Sequence, residues 1–457
     1  MSFSTTDGKS QVPKIDAREA SLKVLVELEK KDTYLNLALN RVFSRQLFPE
    51  AERALLTELS YGVVQRLNTL DWVLALYLSH PLEKLTIWIR NILRMGAYQL
   101  LFLDRIPDSA AVDESVKLAH RFGHKGVAGL VNAVLRKVST SKKTLPWPSR
   151  EKNLEHYISL RYSYPLWMVQ RWLKNMGADE TEAFCSACNT VPPLTVRTNT
   201  LRLSRAKLKE ILLQEGTEAK NCLYAAEGLE IKISERLFDL PSFREGFFQI
   251  QGEASMLAAT SLNPQPGESV LDLCSAPGGK TIHMANLMQN QGNIVATDLY
   301  PHRLELVQKA AKHQGVKIIR TEKLDGRSLP DEKIKAFERV LLDVPCSGLG
   351  VIRRKTDLKW RRQPEDIASL SQLQLRLLKE GFKALRPKGV LLYSACTIEP
   401  EETTDVINKF LEQEPSARPA MFSSLLPEGL ESKEGRIFLW PHKHNLDGFF
   451  LARIRKE

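Results

Sequence analysis

The sequence predicts a multidomain chain with an N-terminal all-α bundle, a small α+β domain in the middle and a C-terminal α/β domain of the Rossmann-like, doubly wound kind. Three observations carry this. The 457 residues exceed what one hydrophobic core usually supports, about 150 residues per domain. In the first third, apolar residues recur at three- and four-residue steps, the period of an amphipathic helix. Beyond residue 246, short apolar runs alternate with helical stretches, the pattern of a parallel sheet covered on both faces.

The expected domains are 1–145, 146–245 and 246–457. In the first, Asp16-Ala17-Arg18-Glu19 reads as a capping box, with Asp16 accepting from the Glu19 amide and Glu19 reaching back. Leu85, Ile89, Ile92, Gly96 and Leu100 form one apolar stripe, and similar stripes run through Leu55–Val63, Ala110–Ala119 and Val127–Leu135. The stretch 141–150, with two prolines and several charges, reads as a linker. In the middle domain, helices are expected at Pro165–Asn175 and Ser204–Gln214, and strands within Leu194–Thr200 and Leu229–Ile233. The third domain should place strands at Ser269–Cys274, Asn293–Asp298, Val316–Leu324, Phe337–Asp343 and Gly389–Ser394. A hairpin, Arg436–Trp440 with Phe449–Arg453, closes the sheet edge.

Lysine and arginine exceed aspartate and glutamate by 65 − 54 = 11, which favours a polyanionic partner held through phosphate contacts. The first dozen residues are polar and read as disordered. They lack the apolar stretch of a signal peptide, and no run approaches the roughly 18 apolar residues of a membrane helix. A cytoplasmic monomer with no membrane partner is expected. Six irregularly spaced cysteines do not form a secreted disulfide framework, so they are expected to stay thiols.

The densest motif is Val270-Leu271-Asp272-Leu273-Cys274-Ser275-Ala276-Pro277-Gly278-Gly279-Lys280-Thr281, a strand breaking into a glycine turn and then a helix. The first such turn of a doubly wound sheet is where a nucleotide-like cofactor binds, because glycines let backbone amides approach it. Residues 274–280 are therefore candidate cofactor contacts. A phosphate-binding loop of an NTPase is the competing reading, since Gly279-Lys280-Thr281 matches its end and Asp343 imitates the Mg²⁺-holding acid. Cys274, however, stands where that loop needs its first glycine. Asp298, ending the second strand, is spaced to take ribose hydroxyls, and Arg303 just beyond it is placed in the same pocket. Asp325, ending the third, can accept from an adenine amino group.

The fourth strand runs into Asp343-Val344-Pro345-Cys346-Ser347 and the fifth into Ser394-Ala395-Cys396-Thr397. If these strands are neighbours, about 4.8 Å apart, both thiols reach one pocket. Two thiols suit one reaction in particular. C5 of cytosine is a poor nucleophile until a thiolate adds at C6 and turns the ring into an enamine, and a second thiol can assist release of the product. Asp343 is placed to hydrogen-bond the base or the cofactor, and Lys280 to steady developing charge.

These residues carry a resemblance to the bacterial 16S ribosomal RNA cytosine-C5 methyltransferases of the Sun or RsmB type. It rests on Leu273–Thr281, Asp343–Ser347, Ala395-Cys396-Thr397 and Asp447-Gly448-Phe449-Phe450, and it extends over nearly the whole chain. It implies a class I methyltransferase domain using S-adenosylmethionine, held by Cys274–Lys280, Asp298, Asp325 and Asp343. It also implies that Cys396 is the nucleophile and Cys346 the residue assisting release. Ile106-Pro107, Ala111-Val112 and Val131–Arg136 resemble the RNA-binding fold of the NusB antitermination factor. Ser163-Tyr164-Pro165 and Val196–Asn199 resemble the family's middle domain. The implied partner is 16S ribosomal RNA and the implied target cytosine 967. Ser275, Lys355-Thr356 and Thr403 depart from the residues common in the family, without removing a thiol or a cofactor carboxylate.

Arg353-Arg354-Lys355 and Lys359-Trp360-Arg361-Arg362 form a cationic run with one aromatic. Arg353, Arg354, Lys359 and Trp360 are the candidates for gripping phosphates and stacking a base. Cys185 and Cys188 have metal-site spacing but lack a second ligand pair, so no metal is expected. A non-catalytic RNA-binding factor built on the helical domain remains a third reading.

Overall fold

The computed structural model describes residues 16–31, 33–232, 237–422 and 425–457. The first dozen residues and the end of the run at Ile233 lie outside them. The chain divides into two compact units. One takes in the chain to Cys185 together with Lys355–Trp360, the other Ser186–Arg354 and Arg361–Glu457.

Among its described residues the first unit contains helices and no strand. Its bundle contains Ala17–Lys30, Leu35–Arg45, Glu50–Gln65, Leu67–Ala75, Ile87–Phe102, Asp108–Phe122 and Lys125–Ser141. The Asp16 carboxylate caps the first helix by accepting from the Glu19 amide at 2.8 Å. The Glu19 side chain does not reach back as a capping box requires. It turns to Lys23 and Arg121, because two cations outcompete one backbone N–H. Ile89, Ile92 and Leu100 of the expected stripe are buried, each worth about 1.5–3 kcal/mol. Gly96 belongs to that stripe through a close approach, since a Cβ there would lie 2.4 Å from Leu135 Cδ1.

The helices Leu154–Tyr162 and Leu166–Met176 join this unit, so the compact unit ends at Cys185, 185 − 150 = 35 residues beyond the expected linker. Side chains explain the difference. Asn68 Nδ2 donates to the Ser159 carbonyl at 3.1 Å and Thr69 Oγ1 to the Leu160 carbonyl at 2.6 Å. Within the expected linker, Trp147 packs on Trp72 at 4.7 Å between ring centroids, which pins that stretch to the bundle.

The second unit contains two sheets. Among the described residues the smaller has four antiparallel strands, β1 (Leu194–Thr198), β2 (Glu218–Asn221), β3 (Gly228–Lys232) and β4 (Phe248–Ile250), in the order β2-β3-β1-β4. The helix Arg205–Gln214, capped by Ser204 Oγ on the Lys207 amide, buries Leu208 and Leu212 in the same small core. The sequence concealed β2 because Glu218-Ala219-Lys220-Asn221 is a polar edge strand with no alternation to read.

The larger sheet has eight described strands. They are β5 (Ser269–Asp272), β6 (Asn293–Asp298), β7 (Ile319–Lys323), β8 (Phe337–Asp343), β9 (Leu385–Ala395), β10 (Ala417–Pro419), β11 (Arg436–Leu439) and β12 (Phe449–Lys456). Their order is β10-β12-β9-β8-β5-β6-β7, with β11 on β12. β5 to β9 pair in parallel, and β12 runs antiparallel to β9. The five expected parallel strands are all present. The expected hairpin is an antiparallel pair, β11 with β12. The order reverses at β5, flanked by β6 and β8, and crevices at such switch points bind ligands beyond the strands' carboxyl ends.

Candidate active site

The glycine turn follows β5. Gly278, at φ 103° with Val307 Cα 3.1 Å from where a Cβ would stand, admits no other residue without strain. It caps the helix Gly279–Leu287. Ser275 ties the turn to β6 through its amide and hydroxyl, both donating to the Thr297 carbonyl at 2.9 and 3.0 Å. At the end of β6, Asp298 accepts from the Tyr300 amide at 3.1 Å and pairs with Arg303 at 3.2 Å. Arg303 in turn donates to the Ala276 carbonyl at 2.9 Å, linking strand end and turn. Asp325, beyond β7, is half-exposed and pairs with Arg327 at 2.6 Å, which holds its carboxyl below the usual range.

Asp272, the last residue of β5, was not among the expected site residues. It is fully buried and accepts from Thr281 Oγ1 at 2.6 Å. Burial pushes its pKa up to about 7. The Cys274 thiol is pushed up as well, chiefly by burial, and it packs against the core under the sheet.

β8 and β9 are neighbours, with Asp343 opposite Ser394. Asp343 accepts from Ser394 Oγ at 2.9 Å and pairs with Lys280 at 2.7 Å. Burial works against the Lys280 ammonium, but Asp343 outweighs it and the pKa rises. Just beyond these strands the Cys346 and Cys396 sulfurs stand 3.0 Å apart. The Cys346 thiol is held well above its ordinary value by its hydrogen bond to Cys396, by burial and by the Cys396, Glu402 and Asp343 charges. A glycine is required behind the pair, because a Cβ on Gly350 would lie 2.0 Å from the Gly448 carbonyl oxygen. The Gly350 amide donates to the Cys396 carbonyl at 3.0 Å. The Asp447-Gly448 motif thus backs the loop that carries the second thiol.

The cationic run, expected to grip phosphates and stack a base, is held by partners within the protein. Arg353 is buried and bonds Asp447 at 3.0 Å and the Asn445 carbonyl at 2.9 Å. Arg354 bonds Asp447 at 2.6 Å and the Pro193 carbonyl at 3.2 Å. Lys359, 1% exposed, donates to the Gln65 and Ser163 carbonyls at 2.7 and 2.6 Å and lies 4.2 Å from the Tyr164 ring centroid. Trp360 Nε1 donates to the Val64 carbonyl at 2.7 Å. These side chains are all engaged by intramolecular partners, Arg353 and Lys359 in buried positions.

Within the second unit the site therefore holds, along one sheet edge, a glycine turn, carboxylates at successive strand ends and a pair of touching thiols. Comparison with known proteins places this arrangement. The model of the family "16S rRNA methyltransferase RsmB/F" matches residues 259–455, that of the NusB family residues 15–140, and that of the RsmF/B-like ferredoxin-like domain residues 164–235. The probable ribosomal RNA small subunit methyltransferase B of Bacillus subtilis is 35% identical, over 97% of this chain and 99% of its own length. The chain belongs to this family. The ribosomal RNA small subunit methyltransferase B of Pseudomonas syringae is 34% identical, over 97% of both chains. Among solved structures, PH0851 superposes with a TM-score of 0.80 at 28% identity, covering 97% of this chain and 99% of that one. A methyltransferase homologue from Pyrococcus horikoshii gives a TM-score of 0.59 at 30% identity, over 66% of this chain and 98% of its own.

The chain is thus an rRNA methyltransferase with a NusB-like helical domain, a small middle domain and a mixed-sheet catalytic domain. Enzymes of this class take their methyl group from S-adenosylmethionine. The residues at the glycine turn fit such a cofactor. A Cβ built on Gly279 would meet nothing closer than Gln251 Cδ at 3.9 Å, which leaves room at the helix start, and Asp298 and Asp325 supply acceptors at the neighbouring strand ends. The NTPase reading fails, since Lys280 and Asp343 neutralise each other and Cys274 occupies the position of the required glycine. Among the described residues no helix is long and apolar enough to cross a membrane.

Proposed function

We propose that this methyltransferase acts on C5 of cytosine 967 in 16S ribosomal RNA through a covalent adduct on Cys396. The observation that carries the reading is the 3.0 Å contact between the Cys346 and Cys396 sulfurs, with the Cys346 proton held firmly. A protonated Cys346 donates to the Cys396 sulfur and stabilises it as the thiolate, the form that attacks. Lys280 adds a positive charge that interacts with Cys396.

The cofactor, when bound, supplies an electrophilic methyl group. The Cys396 thiolate forms a bond to C6 of the ring, and the displaced π electrons make C5 nucleophilic enough to take the methyl. A general base then accepts the C5 proton, the C5–H electron pair forms the C5–C6 double bond, and the C6–sulfur bond breaks with its own pair returning to Cys396, a departure that Cys346 assists. Residues 274–280 with Asp298, Arg303, Asp325 and Asp343 form the cofactor pocket. Asp343, fixed by Lys280 and Ser394, presents a carboxylate to the base or the cofactor. The target cytosine must leave its stack to reach the sulfur, at a cost of about a few kcal/mol, which suits a loop or mismatched stretch of RNA.

Fluorine at C5 cannot leave as a proton would, so RNA carrying 5-fluorocytidine traps the adduct. With S-adenosylmethionine present, wild type and Cys346→Ala are expected to form a covalent complex visible by mass, and Cys396→Ala none. Trapping that survives Cys396→Ala defeats the proposed nucleophile. Bisulfite sequencing of ribosomal RNA from a deletion strain tests the position, and continued methylation of cytosine 967 there would rule it out.

A further inference from the structure

Glu402 closes the short turn Pro400–Glu402 after the Cys396 loop and is fully buried. Its carboxylate accepts four hydrogen bonds. Ser347 donates through its amide at 2.8 Å and its hydroxyl at 2.5 Å. Thr397 Oγ1 donates at 3.0 Å and Gln374 Nε2 at 2.9 Å. Ser347 is the residue after Cys346, and Thr397 the residue after Cys396. Gln374 Nε2 also donates to the Pro345 carbonyl at 3.0 Å, on the other side of Cys346. The Glu402 backbone is fixed too, its carbonyl accepting from Tyr393 Oη at 2.7 Å.

A buried carboxylate compensated only by hydrogen-bond donors is expensive to fold around. That cost makes sense where the acceptor sets a geometry that apolar packing would leave loose. We propose that Glu402 is a positioning residue that holds Cys346 and Cys396 in contact by clamping the residue that follows each. The inference rests on the roles proposed above for the two thiols. Apolar residues here would leave two separate loops, each free to settle on its own. One charged acceptor with four lone-pair directions joins them. The clamp also explains why Ser347 Oγ and Thr397 Oγ1 lie 2.9 Å apart, close to the 3.0 Å between the sulfurs one residue earlier.

The test uses the full chain carrying Glu402→Gln, which keeps the side-chain shape but turns an N–H toward donors. Diamide oxidises neighbouring thiols to a disulfide while being reduced to its hydrazine, so the rate of Cys346–Cys396 coupling, read as a loss of two mass units, reports how well the sulfurs meet. Coupling in Glu402→Gln should slow about tenfold and kcat for methyl transfer should fall about a hundredfold, since misplacing a reacting group by 1 Å costs that much. The KM for S-adenosylmethionine should stay at its wild-type value. If Glu402→Gln no longer binds S-adenosylmethionine, the Ser347→Ala, Thr397→Val double variant takes its place with the same expectation. Wild-type coupling and kcat in whichever variant retains cofactor binding overturn the clamp. Methyl transfer that persists in Cys396→Ala would instead refute the thiol chemistry, while leaving the coupling result to judge the clamp on its own.

Discussion

Beyond β5, β6 and β7 each carboxylate of the site answers to a partner of its own, Asp298 to Arg303, Asp325 to Arg327 and Asp272 to Thr281. Beyond β8 and β9 the two thiol loops share one acceptor, Glu402. The first arrangement suits a ligand gripped at several independent points, where losing one contact weakens binding by that contact alone. The second suits a reaction whose groups must arrive together, where any loss is felt by both loops. Three experiments press on this difference.

The largest effect is expected at Asp272. Its pKa is 3.8 in an unstructured chain and about 7 when buried, so the folded state holds a proton that the unfolded state has released. Stability contributed by that proton is full below pH 3.8 and lost as pH rises through about 7, by roughly 4 kcal/mol at 1.36 kcal/mol per pKa unit. Asp272→Asn keeps the acceptor for Thr281 and should remove this slope. Urea unfolding of both proteins between about pH 4 and 8 measures the difference, and parallel curves would count against a raised Asp272.

Next, Asp298→Ala should weaken S-adenosylmethionine binding about tenfold to a hundredfold, as a lost charge-assisted bond costs about 1.5–3 kcal/mol. Saturating cofactor should restore most of kcat. Calorimetry and steady-state kinetics separate the two, and a kcat that stays low at saturation would place Asp298 in the chemistry instead.

The smallest effect is the most diagnostic. In double-mutant cycles on unfolding free energy, Ser347→Ala with Thr397→Val should couple by about 1–2 kcal/mol, while Asp298→Ala with Asp325→Asn should add within about 0.5 kcal/mol. Equal coupling in the two cycles would erase the contrast between the two halves.

Residues whose place follows from local pattern could be read before any coordinates. β5, β6, β8 and the second half of β9 are short apolar runs, and Asp298, Asp343, Cys346 and Cys396 follow from where those runs stop. Strand adjacency then brought the two sulfurs together as the pattern implied. Glu402 could not be read this way. It sits between Glu401 and Thr403 in a polar stretch, and nothing local distinguishes it from its exposed-looking neighbour; only the fold brings Ser347, Gln374 and Thr397 onto it. The burial of Arg353 and Lys359 was hidden for the converse reason. A run of cations reads as solvent-facing until tertiary structure supplies buried carbonyls and a buried Asp447. Asp272 did carry a signal, an acid inside an apolar strand, but one that motif reading assigned to the turn as a whole.

The burial of Lys359 bears on how this chain can be cut. Lys355–Trp360 lies in sequence between the Cys346 loop and the long helix Pro364–Ala384, yet it belongs to the helical unit. No single break in the polypeptide separates the two units cleanly. A fragment beginning at residue 186 would carry an ammonium and an indole N–H stripped of the carbonyls of Val64, Gln65 and Ser163. Such a catalytic fragment should be made with Lys359 and Trp360 replaced by residues content in water.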